Sequence, residues 1–329
     1  MKVAMFSTQP YDQQYFEKYN DRSSIEITFF KTNLGIKTAK LSKGFDAVCV
    51  FVNDVIDEAT IQTISQNGVQ LIALRCAGFN NVDMEAARKY QVKVLRVPAY
   101  SPEAVAEHTV ALILTLNRKT HKAYNRIREG NFSLNRLMGF NLNGKTVGVI
   151  GTGKIGLALC RILKGFGCRL IAYDLYESNE LKNLGVQYTT LAQVLQQSDV
   201  LSLHCPLTRA TKHLINKDSI AAMKDGVMII NTSRGGLVNT ADIIEGLMSQ
   251  KIGYLGIDVY EQEEHLFFKD LSERIIQDEF ILRLNSFPNV LITSHQAYFT
   301  EEAMKEITLT TLDNLESFAM GKELRNEVK

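Results

Sequence analysis

The sequence predicts an α/β protein with parallel sheets, because short apolar or β-branched runs alternate with helical patterns along almost its whole length. Two series of such runs are present, one in the amino-terminal third and a cleaner one after Gly144. The second series contains about six strands, enough for a complete doubly wound sheet. A length of 329 residues allows each series its own core.

In the first series, apolar runs bounded by turn residues predict strands at 2–7, 47–51, 71–74 and 93–96. Helical spacing of apolar residues predicts helices at 58–67 and 84–90. Residues 98–144 look mainly helical. Within them, 103–116 carries a broad apolar face, and Ser101 followed by Pro102 is a plausible helix start.

In the second series, the same criteria predict strands at 146–150, 169–173, 200–204, 227–231, 254–259 and 290–293. Helices are predicted at 154–166, 191–196, 219–223 and 242–249, and a last one at 301–319.

Composition excludes several classes of function. The net charge is +1 and no long basic run occurs, so no nucleic-acid partner is expected. No segment approaches about 18 apolar residues and the amino terminus lacks a signal-like stretch, so a cytoplasmic protein without a membrane partner is expected. The five cysteines are scattered and form no CxxC pair, which favours buried reduced thiols over disulfides or a metal site.

The segment Gly151-Thr-Gly153-Lys154-Ile155-Gly156 directly follows a predicted strand and opens a predicted helix. In a dinucleotide site these glycines allow a tight turn, close approach of the backbone to a pyrophosphate, and close packing of helix on strand. The free N–H groups at the helix amino terminus favour phosphate. The motif alone is weak evidence, but strand, glycines and helix occur here in the required order.

Asp174 ends the next predicted strand, 18 residues after Gly156. A carboxylate at this place can accept hydrogen bonds from ribose hydroxyls and repels a 2′-phosphate. The sequence therefore predicts NAD rather than NADP as cofactor, although a solvated turn residue would look the same.

Polar residues follow three later strands: Arg234, the segment 258–264, and His295. An arginine suits a substrate carboxylate because its planar guanidinium binds carboxylates through two hydrogen bonds. A histidine suits proton transfer near neutral pH, and a carboxylate bonded to it would favour the imidazolium. Glu263 or Glu261 could supply that carboxylate. Considered one at a time, these residues fit a structural role as well as a catalytic one.

The order and spacing of seven runs resemble the D-isomer-specific 2-hydroxyacid dehydrogenase family over nearly the whole chain, most closely its bacterial fermentative D-lactate dehydrogenases. The runs are RCAGFNNVD (75–83), VPAYSPEAVAEHT (97–109), GVIGTGKIG (148–156), LHCPLT (203–208), NTSRGGLV (231–238), DVYEQE (258–263) and SHQAY (294–298). The resemblance implies NAD-dependent interconversion of pyruvate and D-lactate.

The resemblance also implies roles for individual residues. Arg234 would bind the substrate carboxylate, His295 would be the acid/base, and Glu263 its partner, with Glu261 and Glu264 as neighbouring alternatives. The implied cofactor contacts, beyond the glycine turn and Asp174, are Cys205, Pro206, Thr211, Thr232, Ser233, Arg234 and Asp258, the last near the nicotinamide carboxamide. The implied substrate contacts are Ala77, Gly78, Tyr100, Tyr298 and Phe51, with Arg234 and His295. His108 would be structural.

For the architecture, the resemblance implies two Rossmann-like domains with the active site in the cleft between them. A flavodoxin-like catalytic domain would comprise 1–100 and 299–329, and an NAD-binding Rossmann domain 101–298. Helix 103–116 would contribute to a homodimer, and a homotetramer stays open. The alternatives are a 2-hydroxyacid dehydrogenase for a bulkier 2-keto acid, such as 2-ketoisocaproate or phenylpyruvate, and an NAD-sensing corepressor-like binding protein. Formate dehydrogenases pair their histidine with glutamine, so Glu263 argues against that activity.

Overall fold

The computed structural model describes residues 1–328, with the backbone alone for residue 265. The chain divides into two compact units. Unit 1 contains Met1–Ser101 and the segment from Phe299 onwards, and unit 2 is Pro102–Tyr298. Each unit has one sheet whose strands all pair in parallel, which confirms the predicted α/β class with two parallel sheets.

Unit 1 has a five-stranded sheet in the order β2-β1-β3-β4-β5. Its elements are β1 (Lys2–Met5), α1 (Pro10–Tyr19), β2 (Glu26–Phe29), a 3₁₀ helix (Ala39–Ser42), β3 (Ala47–Val50), α2 (Glu58–Gln66), β4 (Leu71–Leu74), α3 (Met84–Lys89), β5 (Lys93–Leu95) and, after unit 2, α12 (Glu301–Ala319). The central strands are apolar runs because both faces of the sheet are buried. Leu312 and Leu315 of α12 join this core, which explains why the last helix belongs to unit 1.

Unit 2 has a seven-stranded sheet in the order β12-β11-β10-β9-β6-β7-β8. Its strands are β6 (Thr146–Ile150), β7 (Arg169–Tyr173), β8 (Gln187–Tyr188), β9 (Val200–Leu203), β10 (Val227–Asn231), β11 (Ile252–Ile257) and β12 (Val290–Ile292). Its helices are α4 (Pro102–Arg118), α5 (Thr120–Arg128), α6 (Lys154–Gly165), α7 (Asn179–Leu184), α8 (Leu191–Gln197), α9 (Lys217–Ala222), α10 (Thr240–Met248) and α11 (Glu279–Ser286), with 3₁₀ turns at Gly235–Leu237 and Glu263–His265.

Helix α4 begins at Pro102, as the Ser101–Pro102 pair predicts, and packs its apolar face on the unit 2 sheet. A Cβ on Gly256 of β11 would lie 3.1 Å from Leu116, so the glycine lets the helix approach closely. The segment 98–144 is mainly helical, as predicted, because α4 and α5 make up more than half of it, but residues 129–145 contain no helix or strand.

Several elements escape the sequence patterns for identifiable reasons. Strand β8 has only two residues, too few to show a period of two, so unit 2 has seven strands rather than about six. Helix α1 buries only Phe16 among its apolar residues and therefore lacks an apolar stripe. Predicted strands also run too far at their carboxyl ends, where Ser7, for example, turns to a φ of 53°. No helix among residues 1–328 is long and apolar enough to cross a membrane.

Candidate active site

The polar residues predicted from the second series lie at one edge of the unit 2 sheet, because parallel strands all end there. Within three residues of a strand end lie Gly151 after β6, Asp174 after β7, Cys205 after β9, Arg234 after β10, Asp258 after β11 and His295 after β12. Ligands of open α/β sheets bind at this edge, beside the point where the strand order reverses, here between β6 and β9.

In the β6–α6 turn, the packing of the protein itself requires glycine at 151 and 156. It does not require glycine at 153. Gly151 has a φ of 94°, and a Cβ there would lie 2.4 Å from the Cys205 nitrogen. A Cβ on Gly156 would lie 2.2 Å from the Gly151 carbonyl oxygen. Gly153 is exposed, and a Cβ on it would meet no atom within 4 Å. The open space at Gly153 is what close approach of a pyrophosphate requires.

Helix α6 begins at Lys154, directly after this open position. Its first-turn N–H groups, from Lys154, Ile155 and Gly156, have no partner within the helix, and no side chain of Gly153 caps them. The helix dipole adds partial positive charge at the same place. The turn therefore offers donors and charge to an anionic group.

Asp174 is held at the neighbouring strand end. Its Oδ2 accepts hydrogen bonds from the Thr152 backbone nitrogen at 2.5 Å and the Thr152 hydroxyl at 3.0 Å, and Oδ1 accepts from the Tyr176 nitrogen at 3.1 Å. Burial raises the pKa of this carboxyl, but these hydrogen bonds outweigh it, so the pKa lies below its ordinary value. Asp174 is thus an ionised acceptor beside the glycine turn.

His204 belongs to the same edge and was missed by the sequence reasoning. Its Nε2 lies 2.8 Å from the Ser202 hydroxyl, whereas its buried Nδ1 has no hydrogen-bond partner among the described residues. Burial lowers the pKa of His204 to about 4, so the ring is neutral near pH 7. The position of His204 directly after β9, beside Gly151, is the signal that could have identified it.

The segment after β9 forms a wall next to the glycine turn. The Ser233 hydroxyl donates to the Cys205 carbonyl oxygen at 2.9 Å, and the Thr211 hydroxyl donates to the Pro206 carbonyl oxygen at 2.6 Å. Burial raises the pKa of the Cys205 thiol to about 11, so Cys205 is not a thiolate. These residues present backbone and hydroxyl groups rather than a nucleophile.

Arg234 is half-buried on a braced loop. Its Nη1 donates to the Ser233 carbonyl oxygen at 2.7 Å, and the Asn231 side chain donates to the Arg234 carbonyl oxygen at 2.9 Å. The Thr232 hydroxyl lies 2.9 Å from that of Thr109 in α4. In the part of the chain that the structure describes, no carboxylate forms a salt bridge with Arg234, which leaves the guanidinium able to bind an anionic substrate.

His295 pairs with Glu263. The His295 Nδ1 lies 2.8 Å from the Glu263 Oε1, and the Glu263 Oε2 accepts a hydrogen bond from the Tyr260 nitrogen at 2.9 Å. His295 has a φ of 54°, a conformation that L-residues rarely adopt and that its surroundings must hold in place. Its side chain is 16% exposed, so the ring is reachable from solvent.

The other two acids of this segment lie elsewhere. The Glu261 carboxylate binds His213 and Thr240, and Glu264 is exposed. The residue types alone leave Glu261 and Glu263 as alternative partners of His295. The structure brings Glu263, and not Glu261, to this histidine.

Asp258 braces the loop that carries His295. Its buried carboxylate accepts hydrogen bonds from the Thr293 hydroxyl at 2.6 Å and from the nitrogens of Gln296 and Ala297 at 2.9 and 2.8 Å, and His108 lies 3.5 Å away. Burial raises its pKa, but the bonds from these partners outweigh it, and the pKa lies below its ordinary value. His108 is engaged with Asp258 and Thr293, as a structural histidine would be.

The candidate substrate residues of unit 1 follow β3, β4 and β5 at the carboxyl edge of its own sheet. They are Phe51, Ala77, Gly78 and Tyr100, of which Phe51 is buried. Arg96 donates to the Ala77 carbonyl oxygen at 2.8 Å, which fixes that loop. Tyr298, the last residue of unit 2, is 7% exposed.

Together the unit 2 residues fit NAD and hydride chemistry. The open Gly153 position and the α6 amino terminus suit a pyrophosphate, and Asp174 suits a ribose diol. His295 and Arg234 are the groups that proton transfer and carboxylate binding require.

Comparison with known proteins agrees with this chemistry. Residues 110–297 match the family model described as D-isomer specific 2-hydroxyacid dehydrogenase, NAD binding domain. The D-lactate dehydrogenase of Escherichia coli K12 is 52% identical over 328 residues, covering 100% of both chains. Its apo structure superposes with a TM-score of 0.91 at 50% identity, again over 100% of both chains.

A second solved structure, the D-lactate dehydrogenase of Aquifex aeolicus complexed with NAD and lactic acid, is 36% identical. It superposes with a TM-score of 0.86 over 97% of this chain and 96% of that one. The match of the family model and the full-length identity lead to one conclusion: this chain belongs to the D-isomer specific 2-hydroxyacid dehydrogenases, and its unit 2 contains their NAD-binding domain.

Proposed function

We propose that the chain is an NAD-dependent D-lactate dehydrogenase, which reversibly reduces pyruvate to D-lactate. The observation that carries the proposal is the 2.8 Å hydrogen bond between His295 and Glu263 at the sheet edge that also holds Arg234 and the Gly151 turn. The names of the Escherichia coli and Aquifex aeolicus relatives support lactate as the hydroxy acid.

NADH, when bound, supplies the hydride for the keto carbon. Because the His295 Nδ1 faces Glu263, Nε2 is the atom that donates a proton to the substrate's carbonyl oxygen. The Glu263 carboxylate fixes the ring and balances its charge when it is protonated, and Asp258 holds the loop from behind.

Arg234 binds the substrate carboxylate in this proposal. Its planar guanidinium forms two parallel hydrogen bonds to a carboxylate, which orients the neighbouring carbonyl group for reaction. The loop between Asn231 and Gly235 keeps this side chain in place through backbone hydrogen bonds.

In this proposal the substrate-binding catalytic domain, predicted at 1–100 and 299–329, corresponds to unit 1, and the NAD-binding domain, predicted at 101–298, corresponds to unit 2. The Ala77 and Gly78 amides would contact the substrate carboxylate, and Phe51, Tyr100 and Tyr298 would limit the size of the substrate side chain. The family resemblance supports these roles, together with the place of the unit 1 residues at the carboxyl edge of their sheet.

The test is an NADH-oxidation assay with pyruvate, 2-ketoisocaproate and phenylpyruvate, followed by chiral separation of the products. The proposal expects the highest kcat/KM with pyruvate and D-lactate as the product. L-lactate, or a clear preference for a bulky 2-keto acid, would contradict it, and the second outcome would leave only the 2-hydroxyacid dehydrogenase class.

The proposal extends to assembly and location. Five apolar side chains of α5 and the following segment are at least half exposed, which supports a homodimer or a homotetramer over a monomer: Tyr124, Ile127, Phe132, Leu134 and Met138. All five cysteines are free and buried, in keeping with a reducing compartment such as the cytoplasm. Light scattering of the purified protein measures the assembly, and a mass of 37.0 kDa would exclude an oligomer.

A further inference from the structure

A second histidine–carboxylate pair lies in the segment that carries Glu263. The Glu261 Oε1 accepts a hydrogen bond from the His213 Nε2 at 2.5 Å. The Glu261 Oε2 accepts hydrogen bonds from the Thr240 hydroxyl at 2.9 Å and the Thr240 nitrogen at 3.3 Å. Both oxygens of this carboxylate are therefore engaged by groups of unit 2.

The partners of Glu261 come from two other segments of the proposed site. His213 follows the turn of Thr211, and its backbone nitrogen donates to the Gly236 carbonyl oxygen at 2.9 Å. Thr240 is the first residue of α10, which follows the loop of Arg234 after the 3₁₀ turn Gly235–Leu237. Glu261 itself precedes Glu263 by two residues. Its carboxylate therefore connects three segments: the one that follows β9, the one that contains Arg234 and the one that contains Glu263.

The backbones of the last two segments are also in contact. A Cβ on Gly235 would lie 2.1 Å from the Tyr260 carbonyl carbon and 2.5 Å from the Glu261 nitrogen. No side chain fits there, so Gly235 packs directly on the peptide bond before Glu261. Because Gly235 follows Arg234, the Glu261 segment packs against the residue next to Arg234.

His213 is held in a costly conformation. Its φ is 51°, in the left-handed region that side chains with a Cβ disfavour. Such outliers persist where their surroundings determine them, and they occur often at functional sites. Burial raises the pKa of the Glu261 carboxyl, but the hydrogen bonds from His213 and Thr240 outweigh it, so Glu261 is an ionised acceptor.

We propose that Glu261, held by His213 and Thr240, is a positioning residue that sets the placement of Arg234 relative to the Glu263–His295 pair. The inference rests on the proposed function, because that function assigns Arg234 to the substrate carboxylate and His295 to the carbonyl oxygen. Glu261 acts through its neighbours: neither of its oxygens is free for a substrate.

The test compares Glu261→Ala, His213→Leu and His213→Gln in the full-length enzyme. Leucine and glutamine at position 213 would have the same backbone strain. Only glutamine has an N–H group that can replace the His213 Nε2 as a donor to Glu261. A displacement of about 1 Å at a reacting centre can reduce turnover by about 100-fold. We therefore expect kcat/KM for pyruvate to fall about 10- to 100-fold in Glu261→Ala and His213→Leu, and His213→Gln to retain most of it.

Two measurements separate positioning from a general loss of structure. The dissociation constant of NADH, measured by fluorescence, should stay within about twofold in all three variants, because the Gly151 turn is untouched. The double variant Glu261→Ala/His213→Leu should be no worse than either single one, since both remove the same interaction. Lys251→Gln, which breaks the exposed ion pair with Asp225 in the same unit, serves as the control and should change nothing.

The outcomes are distinct. Wild-type activity in Glu261→Ala and His213→Leu would overturn the inference, as would equal losses in His213→Leu and His213→Gln. A loss of NADH binding parallel to the loss of turnover would also overturn it, because the role would then be general folding. If the wild-type protein reduces no 2-keto acid, the proposed function itself fails, and this inference fails with it.

Discussion

Each of the two sheets has a turn at the point where its strand order reverses, but the side chains around that turn differ between the two units. In unit 1 the strand order reverses between β1 and β3, and in unit 2 between β6 and β9. Parallel α/β sheets bind their ligands at such points. In unit 2 the turn is open, with an exposed Gly153 at the beginning of α6.

In unit 1 the corresponding place is filled by Arg75. Its side chain is 2% exposed and donates to the carbonyl oxygens of Phe6 and Ser7 at 3.0 and 2.7 Å. It also lies 3.5 Å from the Asp12 carboxylate and 4.9 Å from the centre of the Phe51 ring. The buried guanidinium therefore uses its N–H groups on backbone carbonyl oxygens of this turn.

The topology of a parallel sheet supplies a binding place, and a few residues decide how that place is used. A dinucleotide fits the turn of unit 2, whereas unit 1 uses the same place for an internal polar network. That network includes Asp54, which accepts hydrogen bonds from the Ser7 hydroxyl and the Phe51 nitrogen at 2.6 Å each. Unit 1 thereby fixes the backbone at Phe51, a candidate substrate contact.

The largest effect is expected from Arg75→Met. Removing the buried charge leaves the Asp12 carboxylate without its ion-pair partner and two carbonyl oxygens without their donor, which costs about 3–5 kcal/mol of unfolding free energy. Urea denaturation measures this. The affinity of the folded protein for NADH should not change, because the cofactor turn lies in unit 2.

Arg88→Met in α3 is the matched control, since this arginine of unit 1 is exposed and its loss should cost little. Equal stabilities of the two variants would show that Arg75 does not hold unit 1 together.

The next largest effect is expected in unit 2, on the affinity for NADH. Gly153→Ala adds a methyl group where the protein has no atom within 4 Å, so folding stability should fall by no more than about 1 kcal/mol, the cost of alanine at a helix N-cap. The methyl group would obstruct a pyrophosphate, and the dissociation constant of NADH should rise about 10- to 100-fold. Gly165→Ala, in the same helix and also in open space, should leave NADH binding unaltered. Identical affinities in the two variants would place the pyrophosphate elsewhere.

The smallest effect concerns cofactor choice. Asp174→Ala removes the negative charge that disfavours a 2′-phosphate, so the preference for NADH over NADPH should decrease about tenfold. The ratio of the two kcat/KM values measures it. Glu177→Ala removes an exposed charge three residues further on and should keep the preference. An unchanged ratio in Asp174→Ala would remove this residue from the ribose site.

The sequence predicted much of unit 2, since long apolar strands and the glycine motif are local signals. Strands β6, β7 and β10 have the predicted bounds, and the Gly151 turn lies where expected. The short edge strand β8 and the polar helix α1 carry no periodic pattern, so only the surrounding structure defines them.

The pairing of side chains could not be predicted from spacing. Spacing alone does not distinguish Glu261 from Glu263. The family resemblance selects Glu263, and the structure brings Glu263 to His295 and Glu261 to His213. Asp258 is predicted near the nicotinamide from the family resemblance, and spacing alone does not show that its oxygens hold the His295 loop. Long-range contacts of this kind depend on the packing of whole strands.

The measurement that tests the account most directly is the kinetics of His295→Gln. Glutamine keeps the size of the side chain and a hydrogen bond to Glu263, but it cannot donate a proton as an acid. We expect kcat for pyruvate reduction to fall about 100- to 10,000-fold while NADH binds as tightly as in the wild type. His121→Gln in α5 provides the control. A His295→Gln variant with wild-type kcat would contradict the account.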